Sequence, residues 1–317
     1  MTDRTYGTEP EGATPAEPSA LVRAFKTIAI VRESWMASVG LGILVFWILV
    51  AIFAPLLAPY PAEQQISPLL NASPGTCAEP DRPYFTSEGM ERTTGDECYL
   101  LGGDNLGRDV LSRIIWGARP ILVWAPLATV LAYAIGIVLG VMAGYKRGWV
   151  DDVLSRVSDI ILSFPVLVLY IVLITTFDRT NLNILLAVTF ASAPGIMRIV
   201  RGLVLDLRNR DYVAAAQTRG ESSWYIMFVE ILPNARGPII VDACLRLGYV
   251  IITLGVLGFL GLGLPPPDPN WGNLIAENRV VALTSPHSVV FPCIALSSLV
   301  LGMNMLADGL REISLKD

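Results

Sequence analysis

The sequence predicts an all-α integral membrane protein with six transmembrane helices, and three observations predict it. Only 16% of the 317 residues are charged and the mean hydropathy is +0.55, where an ordinary soluble domain carries about 25% charge. Six apolar stretches are each long enough to cross the roughly 30 Å hydrocarbon layer, which takes about 20 residues of helix. The Lys and Arg residues crowd into alternate connecting segments, as membrane orientation requires.

Taken in order, residues 1–20 are rich in Pro, Glu, Thr and Gly and predict a disordered tail. Residues 21–34 then place Leu21, Val22, Phe25, Ile28 and Ala29 on one helical face, with Arg23, Lys26 and Arg32 elsewhere. That pattern fits either a short amphipathic helix on a membrane surface or an extension of the first span. The expected spans are 35–58, 120–145, 157–177, 180–200, 238–263 and 286–307. The first is uncharged between Glu33 and Glu63, and the second between Arg119 and Lys146. Asp159 marks the margin of the third. In the fifth, Asp242 and Arg246 lie one helical turn apart on one face, where they can neutralise each other.

With the N-terminus inside, fifteen Lys and Arg residues fall on the inner side and seven on the outer. The bias predicts cytoplasmic termini, a cytoplasmic segment at 211–234 and two outward loops, 59–119 and 263–285. Residues 120–312 would form the core of the protein. Cys77 and Cys98 share the first outward loop, where an oxidising compartment permits a disulfide; two separate thiols are the alternative. The second outward loop, with Pro266, Asp268, Asn270 and Trp271, either meets a partner or plugs the helix ends. The single histidine, His287, reads as an interfacial residue, and Cys244 and Cys293 as small packing residues.

The chain has no phosphate-cradling loop of the G-x-x-x-x-G-K-[ST] kind, no zinc spacing and no nucleophile elbow. It therefore reads as non-catalytic, with no cofactor of its own. Ser163, Thr253, Asn304 and Asp308 are among its few polar side chains within spans, and read chiefly as packing residues.

The stretch "DYVAAAQTRGESSWYIMFVEILPN", residues 211–234, is too polar to cross a membrane and too apolar for a linker. Ala214, Ala215 and Ala216 allow close approach of a neighbouring surface. Gly220 permits a sharp turn, and Trp224, Tyr225, Phe228 and Ile231 supply apolar area. Two short helices of this kind either enter a groove on a cytoplasmic partner or fold back on their own bundle.

This segment resembles the coupling loop of ABC-transporter importer permeases: Glu-Ala-Ala, three residues, Gly, then a run ending in Leu-Pro-Asn. Here Ala214 stands in place of the Glu, Glu230 replaces a commonly basic or His residue, and Leu232, Pro233 and Asn234 close the motif. "LGGDNLGRDVLSRIIWGARPIL" is similar to the entry of the second span in the dipeptide, oligopeptide and nickel importer permeases. "GFLGLGLPPPDPNWGNLIAENR" and "NMLADGLRE" resemble the C-type of their two permease subunits.

The resemblance implies the type I importer permease fold in a bacterial inner membrane. It implies four kinds of partner: a homologous B-type permease, two cytoplasmic ATPases that bind ATP and Mg, an extracytoplasmic solute-binding protein, and the bilayer. The cargo it implies is short peptides; opines, oligosaccharides or nickel chelates are the alternative. A stand-alone secondary transporter is the rival class, disfavoured by the absence of a repeat and of a charge pair deep in the expected spans.

Overall fold

The computed structural model describes residues 34–85, 91–177, 179–263 and 269–314. The expected tail, nearly all of the 21–34 helix, Pro266 and Asp268 lie outside these residues. The long helices are α1 (Trp35–Ile52), α2 (Val110–Lys146), α5 (Asn181–Leu207), α7 (Arg236–Phe259) and α9 (His287–Ser314). Between them come α3 (Trp149–Ser163), α4 (Val166–Thr176), α6 (Asp211–Thr218) and α8 (Trp271–Asn278).

Five of these helices are long and apolar enough to cross a membrane singly, and α3 with α4 forms a sixth, broken span bent by 90°. This corrects the expected straight helix at 157–177. Alone, the 11 residues of α4 reach only about 17 Å. Pro165 has no N–H to continue the ladder and pushes Phe164 out of helical geometry. Upstream, α3 is amphipathic: Arg201 of α5 grips Asp151 through Nη2 at 2.7 Å, and Arg198 pairs with Asp159.

Glycines report how the helices run. A Cβ at Gly136 would press on Ile196, at Gly140 on Val200 and at Gly144 on Val204. The register climbs together on both helices, so α2 and α5 are parallel. Two parallel spans need an odd number of crossings between them, which α3 and α4 together supply. By the same test α1 and α9 are antiparallel: Gly309 lies on Ala37, Gly302 on Ile43, and Trp47 Nε1 donates to Ser298 Oγ at 2.9 Å. Helices α7 and α9 also oppose each other, Gly248 facing Asn304 and Gly255 facing Leu296. Six spans result. Ser34 Oγ donates to Glu312 Oε2 at 3.0 Å, so both described ends share one side, the side on which α7 begins.

The other side carries residues 59–109. Two small antiparallel ladders stand there: Thr76–Cys77 on Cys98–Tyr99 and Pro83–Phe85 on Glu91–Thr93. The Cys77–Cys98 disulfide is formed, across directly paired residues. Ile66, Leu69, Tyr84 and Tyr99 make a small core beneath it.

The loop ends sooner than expected, because α2 begins at Val110 and not at 120. Asp109 caps it, accepting from Ser112 N at 2.8 Å. Burial pushes the Asp109 carboxyl up, while the hydrogen bonds from Ser112 oppose that shift. The charges that argued against a helix there are satisfied. Arg119 donates to the last carbonyls of α1, Ala51 at 2.6 Å and Ile52 at 3.1 Å. Arg113, almost wholly buried, lies 3.8 Å from Glu277.

The motif 101–109 locks the outer loop to α8. Asp104 Oδ1 accepts from Leu106 N and Arg108 N, and its Oδ2 from Arg108 Nε at 2.6 Å. Arg108 also reaches Glu277. Burial alone would lower the Arg108 pKa, but Asp104 and Glu277 reverse this and hold it above its ordinary value. His287 is part of the same contact, with Nε2 3.2 Å from Gly103 O.

The seams yield a stability prediction. An added methyl at Gly140 would sit 2.7 Å from Met197 O, so Gly140→Ala should cost about 1–3 kcal/mol by overpacking. Gly42 has nothing within 4 Å, and Gly42→Ala should be neutral. Thermal unfolding in detergent should lower the midpoint for the first variant only.

Candidate functional site at the 211–234 hairpin

Helix α6 opens with Asp211, whose charge suits the positive end of the helix. It buries Val213 and Ala216 completely and exposes Ala214 and Ala215. It stops in a Schellman motif: Gly220 N donates to Gln217 O at 3.0 Å and Glu221 N to Ala216 O at 3.2 Å. Gly220 has φ +78°, the left-handed conformation that motif demands, and open space around its Cα. The glycine is there for backbone freedom and not for room.

Ser222 caps the return arm, its Oγ accepting from Tyr225 N at 3.2 Å. The arm is a single winding path: α-helical over Ser223–Tyr225, π-helical over Ile226–Ile231, α-helical again over Leu232–Asn234. After Ala235 the chain enters α7. Pro233 has no N–H to offer the preceding turn, and the Asn234 side-chain amide donates instead to Glu230 O at 2.6 Å. Leu-Pro-Asn thus interrupts the ladder, and the chain continues into a membrane-spanning helix.

One face of the arm is core. Ile226, Met227 and Ile231 are almost completely buried, packed with Val141 of α2 and Val204 of α5. The apolar area of Ile231 is spent here, on the protein's own core. The opposite face stays apolar and outward: Trp224 is 54% exposed, Tyr225 39% and Val229 51%. Trp224 stacks on Phe228 with ring centroids 5.5 Å apart, and Lys146 at the end of α2 lies 5.7 Å above the Trp224 ring. Glu230 closes the mouth of the hairpin, 3.1 Å from Arg219 Nη2, while Arg219 Nε is 3.8 Å from Glu221. The structure brings the predicted hairpin residues together as one rigid, partly apolar knob joined to α5 and α7.

Of the four outward-loop residues singled out, the two described ones, Asn270 and Trp271, are buried. Trp271 is fully buried, donates Nε1 to Ile114 O at 2.9 Å and packs edge-on against Trp47 at 4.8 Å. Asn270 is 2% exposed and caps α8 through Gly272 N at 2.8 Å. The expectation that these two side chains meet a partner is corrected: both are spent inside the chain. An aromatic after a turn looks the same in sequence whether it points out or in.

The neutralising pair expected in the fifth span, Asp242 and Arg246, is formed, and α7 runs from 236 to 259, so the pair lies well within it. Arg246 Nε donates to Asp242 Oδ2 at 2.8 Å, and Tyr133 OH also donates to that oxygen. Starting the helix at Arg236 in place of 238, and ending it at Phe259, moves the pair inward. The lack of a deep charge pair is therefore no argument against any transport class.

A six-span helical bundle with an apolar helical knob on one side defines a multi-pass membrane transport component. Residues 136–316 match the family model described as binding-protein-dependent transport system inner membrane component, and residues 29–74 that of the N-terminal TM domain of oligopeptide transport permease C. The chain belongs to this family of bacterial inner-membrane permeases. It is 35% identical over 309 residues to a dipeptide transport system permease protein of Alkalihalophilus pseudofirmus, covering 96% of this chain and 93% of the relative. A Haemophilus influenzae dipeptide permease is 35% identical, covering 89% of this chain and 90% of its own. A glutathione transport system permease protein of Pectobacterium atrosepticum is 34% identical, covering 89% and 86%. The resemblance to C-type permeases of peptide-type ABC importers is borne out.

The two faces of the hairpin predict opposite mutational behaviour. Ile231→Ala should cost about 2–5 kcal/mol, as a fully buried aliphatic truncation does. Trp224→Ala, half exposed, should cost about 1 kcal/mol or less. Chemical denaturation followed by fluorescence would separate them.

Proposed function

We propose that this chain is one half of the translocation pore of an ATP-driven importer of short peptides. A homologous B-type permease supplies the other half, two cytoplasmic ATPases bind and hydrolyse ATP with Mg, and a solute-binding protein delivers cargo from outside. The observation that carries this reading is the exposed apolar face at Trp224, Tyr225 and Val229 on a knob continuous with α7. Water would not leave such a face uncovered without cost, and a groove on a cytoplasmic ATPase suits it. Family membership and the peptide-type relatives support the cargo.

In this reading both termini and the hairpin are cytoplasmic, on the side with fifteen of the basic residues against seven. Closure of the ATPases would push the knob, and the push would pass directly into α7 and, through Val204 and Val213, into α5. The missing coupling-loop Glu at Ala214 removes one acidic contact to a partner. Glu230 is held by Arg219 within the chain.

Two experiments test this. In intact cells, Ser222→Cys should resist a membrane-impermeant maleimide and react after permeabilisation; labelling from outside would reverse the orientation. Gly220→Val keeps open space but forces a β-branched residue to φ +78°, at a cost of about 1 kcal/mol or more. The reconstituted complex should insert normally and lose peptide uptake together with the ATPase turnover stimulated by loaded binding protein. Full stimulated turnover and uptake in that variant would mean that the hairpin transmits nothing.

A further inference from the structure

A cleft of about 320 Å³ opens between α2, α4, α5 and α7, walled mainly by apolar side chains, with Tyr133, Tyr170, Ser192, Thr253 and Arg246 among its polar members. Arg246 lies away from both ends of α7. It is the eleventh of the 24 residues of α7, about 15 Å along the helix axis, and so near the middle of a roughly 30 Å hydrocarbon layer. A cation at that depth is costly unless it faces a polar or water-filled space. Here it faces an open cleft: the Arg246 side chain is 23% exposed and forms part of the cleft wall, whereas Asp242 does not line it.

The support for the guanidinium comes from behind. Asp242 Oδ2 accepts from Nε at 2.8 Å and from the Tyr133 hydroxyl, which fixes the plane of the group. Its terminal nitrogens pass over Gly195 of α5, where a Cβ would sit 3.2 Å from Nη1 and 3.5 Å from Nη2. Glycine at 195 therefore gives the fork room. A guanidinium held along one edge by a carboxylate, with its other nitrogens toward an open and otherwise largely apolar cleft, has the geometry that receives a second carboxylate.

We propose that Arg246 is the anion-reading group of the transport path, and that it meets the C-terminal carboxylate of a passing short peptide. Asp242, Tyr133 and Gly195 are positioning residues for it. The proposal rests on the transport reading above and deepens it by naming the substrate group recognised. Its partial neutralisation by Asp242 suits a path: a fully unpaired cation in a low-dielectric site would hold a carboxylate too tightly to release it.

The test uses the reconstituted complex with Thr253→Cys on the cleft wall. Alkylation of the introduced thiol by a maleimide is followed by mass spectrometry, with trialanine or trialanine amide added at millimolar concentration. Trialanine should slow labelling and its amide should not. The variant Arg246→Gln alone strands the Asp242 carboxylate, so Asp242→Asn is combined with it to keep the span neutral. In that double variant the advantage of trialanine over its amide should fall by about tenfold. Gly195→Val, which crowds the fork and leaves the ion pair intact, should weaken the discrimination in the same direction.

Equal protection by acid and amide in the unaltered background, no protection by either, or undiminished discrimination in both variants would overturn the role of Arg246. Uptake measured in parallel judges the other reading. An unaltered complex that imports no peptide from its binding protein overturns peptide import, whatever the labelling shows.

Discussion

The structure depends on how closely its helices approach one another. Lipid gives apolar side chains no reason to prefer a neighbouring helix to an acyl chain, so association must come from contact area and interhelical hydrogen bonds. Glycine supplies the contact. Gly136, Gly140 and Gly144 occur four residues apart on α2 and let α5 lie directly on its backbone. Ala37, Gly40, Gly302 and Gly309 do the same where α1 meets α9. These seams set which helices run parallel and which opposed, and so decide that the broken α3–α4 pair crosses the membrane.

From that constraint the two ends of the bundle follow. On one side the parallel α2 and α5 deliver Val141 and Val204 to a common floor, on which the hairpin rests through Ile226, Met227 and Ile231. The knob is thereby attached to three spans at once, by packing on α2 and α5 and by continuity with α7. On the opposite side Asp104, Arg108 and Glu277 bind the outer loop to α8, and Trp271 plugs the junction of α1 and α2. Between the two ends lies a largely apolar cleft, with a few hydroxyls and the Arg246 guanidinium set in its wall.

Much of the fold was legible because membranes impose simple rules. Charge-free stretches of adequate length mark spans, and Leu-Pro-Asn after an Ala-rich turn marks a hairpin. The bend at Pro165 was less legible, since prolines at 120, 126, 194 and 292 sit inside continuous helices. Whether a proline breaks a span depends on what else satisfies the freed carbonyls, which neighbouring helices decide. The early start of α2 was hidden for a related reason. Arg113 and Arg119 read as loop charges until their partners, Glu277 and the carbonyls of Ala51 and Ile52, are known. The spacing of Gly136, Gly140 and Gly144 was a signal present in the sequence that could have identified the α2–α5 seam.

By itself the sequence determined the class of protein, the six apolar segments and the glycine that turns the hairpin, because each rests on local composition or on one residue's backbone preference. Tertiary structure alone decided which side chains face inward. Asn270 and Trp271 carry the same polarity and bulk whether they await a partner or cap and plug a helix junction, and contact with Gly272 and Ile114 chose the second. The same holds for Arg246: four residues after an aspartate it reads as a neutral pair on any helix. Only the packing of α5 on α7 at Gly195 sets its guanidinium against a cleft in the middle of the bundle. Burial and facing are properties of the neighbours a residue acquires, and those neighbours can be remote in the chain, as Ile114 is from Trp271 and Gly195 from Arg246.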